Sequence, residues 1–232
     1  MKQIVTQAIV LSRTHFGEAD RIVTVITPDH GKVRLIAKGV RKIKSKLAGG
    51  IELFGVNSIT FIEGKSEIKT LISSRLLQHF GQIVHDIERT MFAYSVLKII
   101  NRTTEDNAEI EYFNLTAETL ASINNEKLSL DLIMLWFNMQ LLKLRGQSPN
   151  LDTDSNGHKL LAEQNYNFDF ESMSFRVYAS GMYTAQHIKL LRLGLKLNSP
   201  APLLKIRGIA KVLQNGRQLT DNMLIGQSLT NR

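Results

Sequence analysis

The chain has 232 residues, 43% of them apolar, a formal charge of +8 and no cysteine. Length and apolar content allow one large folded domain or two modest ones and exclude a disordered chain. The lack of cysteine removes disulfides, a cysteine-ligated zinc and a thiol nucleophile from consideration, and is compatible with a reducing compartment.

The start, Met1 to Thr6, lacks the charged-then-apolar layout of a signal peptide, and no apolar run reaches the ~20 residues of a membrane span, so a cytoplasmic location is expected. The first third reads as β. Val5 to Leu11, Arg21 to Thr27, Val33 to Lys38, Val56 to Ile62 and Ile68 to Ile72 are β-branched runs separated by turn signals. Thr27-Pro28-Asp29-His30-Gly31 sets Pro where φ near −65° suits a turn and Gly where φ can be positive, and Glu63-Gly64-Lys65-Ser66 is a second hairpin signal. Within the third run Val33, Leu35 and Ala37 alternate with Arg34, Ile36 and Lys38, so a period of two turns the apolar set inward and Lys32, Arg34 and Lys38 to one outer face. Five short strands with a cationic face suggest a small closed barrel of the OB type, with an open sheet plus a helix as the alternative.

Lys32, Arg34, Lys38, Arg41, Lys42, Lys44 and Lys46 put seven cations and no carboxylate into fifteen residues. Residues 1–80 hold 13 Lys and Arg against 6 Asp and Glu, and the rest of the chain 16 against 15, so nearly all the net charge belongs to the N-terminal third. Charge so concentrated favours a polyanion such as nucleic acid, with an anionic membrane surface and a merely solvated basic face as competing readings. Phe16, Phe54 and Phe61 lie in the same region, where a solvent-facing ring could stack on a base; core packing is the simpler role for Phe61 and Phe16 stays undecided.

Beyond Phe80 the period becomes helical, with helices expected over 84–101, 112–123, 128–144, 184–197 and 202–214, the third apolar nearly all round and therefore central. Residues 218–232 read as a mobile tail. Domains are thus expected over 1–80 and 81–217, the latter with a loop region near 147–180, giving an α+β chain in which an OB-fold barrel precedes an α-helical domain. Asp152, Asp154, Asn156 and Glu163, with Gly157 between, match the ligand spacing of a calcium loop. However, Lys159 sits where an apolar residue belongs, and Pro149 separates the loop from the preceding helix. The alternative is a capped turn in which Asp and Asn side chains hold local N–H groups, needing no metal. The six histidines show no i, i+4 pair, and no nucleophile or Walker pattern occurs, so no catalytic residues are assigned and no enzyme is expected. Trp136 is expected in the core.

Gly17-Glu18-Ala19-Asp20-Arg21-Ile22-Val23-Thr24, then Thr27 to Lys32, Ala37-Lys38-Gly39 and Lys44-Ser45-Lys46-Leu47, resemble in that order the N-terminal domain of the bacterial recombination mediators of the RecO family. The likeness continues more thinly in Gly146 to Asp152 and Leu190-Leu191-Arg192. It implies an OB-fold joined to a helical domain, binding of single- and double-stranded DNA, strand annealing, association with RecR, and help in loading RecA on strands covered by single-strand binding protein. Inside the matching blocks the DNA-binding candidates are Arg21, Lys32, Lys38, Lys44 and Lys46; Arg34, Arg41 and Lys42 rest on charge and alternation alone. Arg21 directly follows Asp20, so a structural ion pair is a rival role for it. The resemblance further implies that the helical half docks the acidic tail of single-strand binding protein, with Lys189, Arg192 and Lys196 as candidates. Many relatives carry a four-cysteine zinc knuckle that this chain lacks, so its lobe must be held by packing of Leu160, Leu161, Tyr166, Phe168 and Phe170, or by the oxygen-rich loop. An RNA-binding module and, less favoured, a metal-dependent nuclease are the alternatives.

Overall fold

The structure is a computed structural model and describes residues 2–42, 45, 47–64, 66–106 and 109–230. Lys44, Lys46 and Lys65 of the expected basic loop and turn lie outside the described residues. The chain divides into two compact units, Met1–Glu126 and Lys127–Arg232.

In the first unit β1 (Lys2–Phe16), β2 (Asp20–Thr27), β3 (Gly31–Ala37), β4 (Gly55–Glu63) and β5 (Lys69–His79) form a closed barrel in the order β1-β2-β3-β5-β4. This is the expected OB-type connection. Period-two alternation places Val23, Val25, Val33, Leu35, Ile59 and Phe61 in the interior. β1 is long because it serves two neighbours: Lys2 to Ile9 pair with β4, and Ile9 to Phe16 with β2, across a bulge between Val10 and Ser12. Two further irregularities on β5 bend it so that the ring closes. The β2–β3 turn forms where the sequence places it, with Gly31 at φ 58° and the Thr27 hydroxyl donating to Gly31 O at 3.1 Å.

The unit continues beyond the barrel. α1 (Ile87–Thr103) and α2 (Ile110–Asn124) pack against β1 and β2. Asp86 caps α1 by accepting the Arg89 N–H, and the Arg89 guanidinium donates to Ile123 O at 2.6 Å, holding the end of α2. These two helices, expected with the helical half, therefore cluster with the barrel.

In the second unit α3 (Leu130–Leu144) is buried along most of its length, as its apolar composition requires, and Trp136 Nε1 donates to Leu197 O at 2.8 Å. α4 (Ala185–Lys196) and α5 (Ala210–Thr230) pack on it. The tail expected to be mobile is instead helix as far as Thr230, with Leu219, Thr220 and Met223 buried. The helix expected over 202–214 is broken into a short 3-10 turn at Ala201–Lys205 and the start of α5, with Gly208 at φ 79° between them.

Residues 147–180, expected as loop, contribute β6 (Asn150–Asp154), β7 (Asn165–Asp169) and β8 (Ser174–Val177); with β9 (Tyr183–Thr184) they form a sheet in the order β6-β8-β7-β9. Register puts Tyr166, Phe168, Phe175 and Tyr183 on one face and Asn165, Asn167 and Arg176 on the other. Tyr166 and Phe175 are fully buried, their rings 6.0 Å apart. Of the residues expected to hold the lobe, Tyr166 does so, while Leu161 and Phe170 are exposed.

Candidate nucleic-acid interface

The six candidate cations among the described residues divide by what their side chains already hold. Lys32 ends in the C-terminal turn of α1, where its ammonium donates to the carbonyls of Asn101 and Thr104. A lysine on the last carbonyls of a helix complements orphaned acceptors and the helix dipole, so this side chain already has a structural task. Arg34 faces outward opposite Thr24 and pairs with Glu67 at 2.7 Å, both side chains exposed. Such a pair contributes about 0 to 1 kcal/mol, so a phosphate competing for Arg34 would have little to displace.

Arg21 pairs in register with Ala37 and His15 and stands on the parity of the interior residue Val23, not on that of Arg34 and Lys38. Alternation therefore separates it from the cationic outer face. Its neighbour Asp20 forms no ion pair with it; the carboxylate accepts the N–H of Gly39 at 2.7 Å.

Lys38, Arg41 and Lys42 emerge together from the end of β3, all three exposed. Gly39 has φ 64°, a conformation that glycine adopts without strain, and the Lys42 N–H closes the turn on Gly39 O at 3.1 Å. Arg41 ties this turn to the one between β1 and β2: its backbone N–H donates to Ala19 O and its guanidinium to Glu18 O, each at 3.0 Å. The far end of the loop is fixed as well. Gly50 approaches β5 so closely that a Cβ would lie 2.5 Å from the Ser74 side chain, and the Ser74 hydroxyl donates to Gly50 O. Lys38 and Lys42 make no side-chain hydrogen bond or ion pair among the described residues. The loop thus presents two ammonium groups without an ion-pair partner among the described residues, with Arg41 between them, on a support held at both ends.

The rings of the strand region separate clearly. Phe54 and Phe61 are buried, whereas Phe16, the last residue of β1, is 49% exposed. Sequence reasoning missed Arg13, which pairs with Glu52 at 2.6 Å, and Lys69, whose ammonium donates to Gly64 O and Ser66 O. Neither pairing leaves a signal in sequence spacing.

In the second unit the oxygen-rich loop is a capped turn. Asp154 is buried, and its Oδ1 accepts the N–H groups of Asn156 and His158 at 2.9 Å each. Burial raises the Asp154 carboxyl, but these donors outweigh it and hold the pKa below the ordinary value. Asp152 and Glu163 are exposed on either side, and among the described residues no three His, Cys, Asp or Glu side chains gather closely enough to hold a metal ion. Of the partner-binding candidates, Arg192 is committed to Leu151 O, binding α4 to β6, and Lys196 is exposed at the end of α4. Lys189 lines a groove with Lys205 and Arg207, whose apolar wall includes Leu193, Ile206 and Val212.

Among the described residues, no helix is long and apolar enough to cross a membrane. Family models match most of the chain: Recombination protein O N terminal over residues 1–80, and Recombination protein O C terminal over residues 84–226. The chain is similar to the DNA repair protein RecO of Dehalococcoides mccartyi, 36% identical over 163 residues, covering 69% of this chain and 64% of that protein. It is 35% identical over 155 residues to the protein of that name from Desulfatibacillum aliphaticivorans, covering 66% and 60%. With that of Listeria monocytogenes serotype 4b it shares 30% over 169 residues, covering 72% and 64%. The matches span less than two thirds of the length of these relatives.

Proposed function

This chain belongs to the Recombination protein O family, and we propose that it is a DNA-binding mediator of recombinational repair that grips the sugar-phosphate backbone at the basic end of its barrel. The observation that carries this reading is the loop after β3, pinned at both ends, with Lys38 and Lys42 exposed and without an ion-pair partner among the described residues. Each cation that displaces a condensed counterion adds to affinity and to salt sensitivity, by about 0.7 in the slope of log K against log salt per phosphate on a single strand. Sequence preference is weak because phosphates carry no base identity. Strand annealing uses the same charge, which screens the repulsion between two complementary strands. The protein performs no bond chemistry in this role; it holds and positions.

The second unit is the surface for protein partners in this reading. The groove at Lys189, Lys205 and Arg207 combines cations with apolar wall, which suits the acidic, phenylalanine-ended tail of single-strand binding protein. Association with RecR, help in delivering RecA to covered strands and a location on DNA in the cytoplasm belong to the same reading, and membership of the family supports them.

The direct test is a salt titration of oligonucleotide binding. Replacing Lys38 and Lys42 together by Gln is expected to weaken binding and to make the slope shallower by about 1.4. An unchanged slope overturns the proposal. Lys189→Glu is expected to abolish retention of an acidic tail peptide and leave DNA affinity intact.

A further inference from the structure

We propose that Phe16 is a stacking platform for an unpaired nucleobase, so that the barrel site selects single strands over duplex; this deepens the reading of the barrel as a DNA-binding surface and rests on it.

Phe16 is the exposed ring of the three in the strand region, the other two being buried. It closes β1 on the outer parity of the barrel, since it pairs with Asp20 while Thr14 pairs with Ile22 and Ile22 with Ile36. The adjoining row on the same face, Thr14, Ile22 and Ile36, carries no charge, and Ile22 and Ile36 are half-buried. Arg21 pairs with Ala37, so the next residue, Lys38, continues the Phe16–Asp20 row onto the third strand. Two strand spacings separate Phe16 from Lys38, about 10 Å between backbones. A ring and an ammonium at that spacing reach the base and the phosphate of one nucleotide.

Three features fix the turn that carries the ring and leave the ring accessible. Gly17 turns the chain at φ 58°, and no atom lies within 4 Å of where its Cβ would stand, so the side of the turn is open to a ligand. Arg41 holds the Glu18 and Ala19 carbonyls, which fixes the turn that carries the ring. The Asp20 carboxylate between ring and ammonium accepts the Gly39 N–H, an interaction that orients it toward the backbone. A platform ordered before binding pays little further entropy when the base arrives. The faces of duplex bases are covered by their neighbours, so only an unpaired base gains from the ring.

The test compares binding of three ligands of equal length by fluorescence anisotropy: oligothymidylate, an abasic oligomer with the same phosphates, and a duplex. Phe16→Ala is expected to weaken oligothymidylate binding by about 5- to 150-fold. Affinity for the abasic oligomer and the duplex, and the salt slope, should stay within twofold of the parent. Phe16→Trp is expected to retain binding and to show indole quenching with oligothymidylate alone, which covers the case in which Phe16→Ala folds poorly. Equal losses on all three ligands, no loss on oligothymidylate, or equal quenching by the abasic oligomer overturns the platform. Failure of the underlying reading looks different: there, Lys38→Gln with Lys42→Gln leaves abasic binding unchanged.

Discussion

His187 lies buried in the first turn of α4, where its Nδ1 accepts the Thr184 N–H at 3.1 Å while Nε2 meets no partner among the described residues. Burial lowers its pKa below the ordinary value. The unfolded chain therefore takes up this proton first, and the stability supplied by the neutral ring, full above a pH of about 6.5, is lost as pH falls below it. His187→Gln retains an acceptor for the cap, as in the usual capping box, and is expected to flatten the melting temperature between pH 7 and 5.5 relative to the parent. Asp154 acts in a lower window: its carboxyl is held below the ordinary value, so its contribution is present above about pH 3.9 and lost as pH falls through its folded-state pKa. Asp154→Ala is expected to lower the melting temperature at neutral pH, and millimolar calcium to leave the parent's melting temperature unmoved. Its spacing with Asn156 and Gly157 fits both a calcium loop and a capped turn, because each needs Asx oxygens and a positive φ, here 83° at Gly157. The flanking elements differ from those of a calcium loop of that kind, since they are strands here and not helices. Lys32 was equally illegible: its place in the basic run gives no hint that a helix sixty-nine residues on ends against it.

At the level of elements, the proposed grip depends on a basic loop whose ends are fixed. Asp20→Ala removes a negative charge beside Lys38 and also the acceptor of the Gly39 N–H. Charge alone would tighten DNA binding; loss of the clamp is expected to weaken it, by several-fold in an equilibrium titration, and the sign of the change decides between the two. Gly50→Ala sets a Cβ against the Ser74 side chain and carbonyl, and is expected to loosen the loop's other end with a similar loss. The strands of the barrel were legible because β-branched residues alternate cleanly between turn signals. The small sheet was not: β7 reads Asn-Tyr-Asn-Phe-Asp, too short and polar to stand out, and its pattern becomes meaningful only when Tyr166 and Phe175 meet across strands. α5 escaped for a related reason, since its buried stripe of Gly216, Leu219, Thr220 and Met223 contains two residues that do not read as core. Phe16 and the clustering of Lys38, Arg41 and Lys42 could be suspected from sequence, but exposure and side-chain partners together separate the free groups from the occupied ones.

For the whole molecule, the change of period at Phe80 marks where strands give way to helices, yet the compact unit extends to Glu126. Lys32 holding the end of α1, and the packing of α1 and α2 on the barrel, explain the difference. A fragment of residues 1–126 is expected to melt cooperatively and keep the parent's oligonucleotide affinity, whereas 1–80 is expected to aggregate or melt without a sharp transition, as circular dichroism would record. Within the barrel the ring is closed on one side by a parallel seam of two residue pairs, Leu35 with Lys69 and Ile36 with Thr70, against seven or more on each antiparallel side. That seam is the weakest stave of the cask. In native-state hydrogen exchange its amides should swap deuterium ahead of the other strands, and because the cationic loop springs from the same strand, a bound polymer drawing that loop outward would tug first at the hoop's thinnest join.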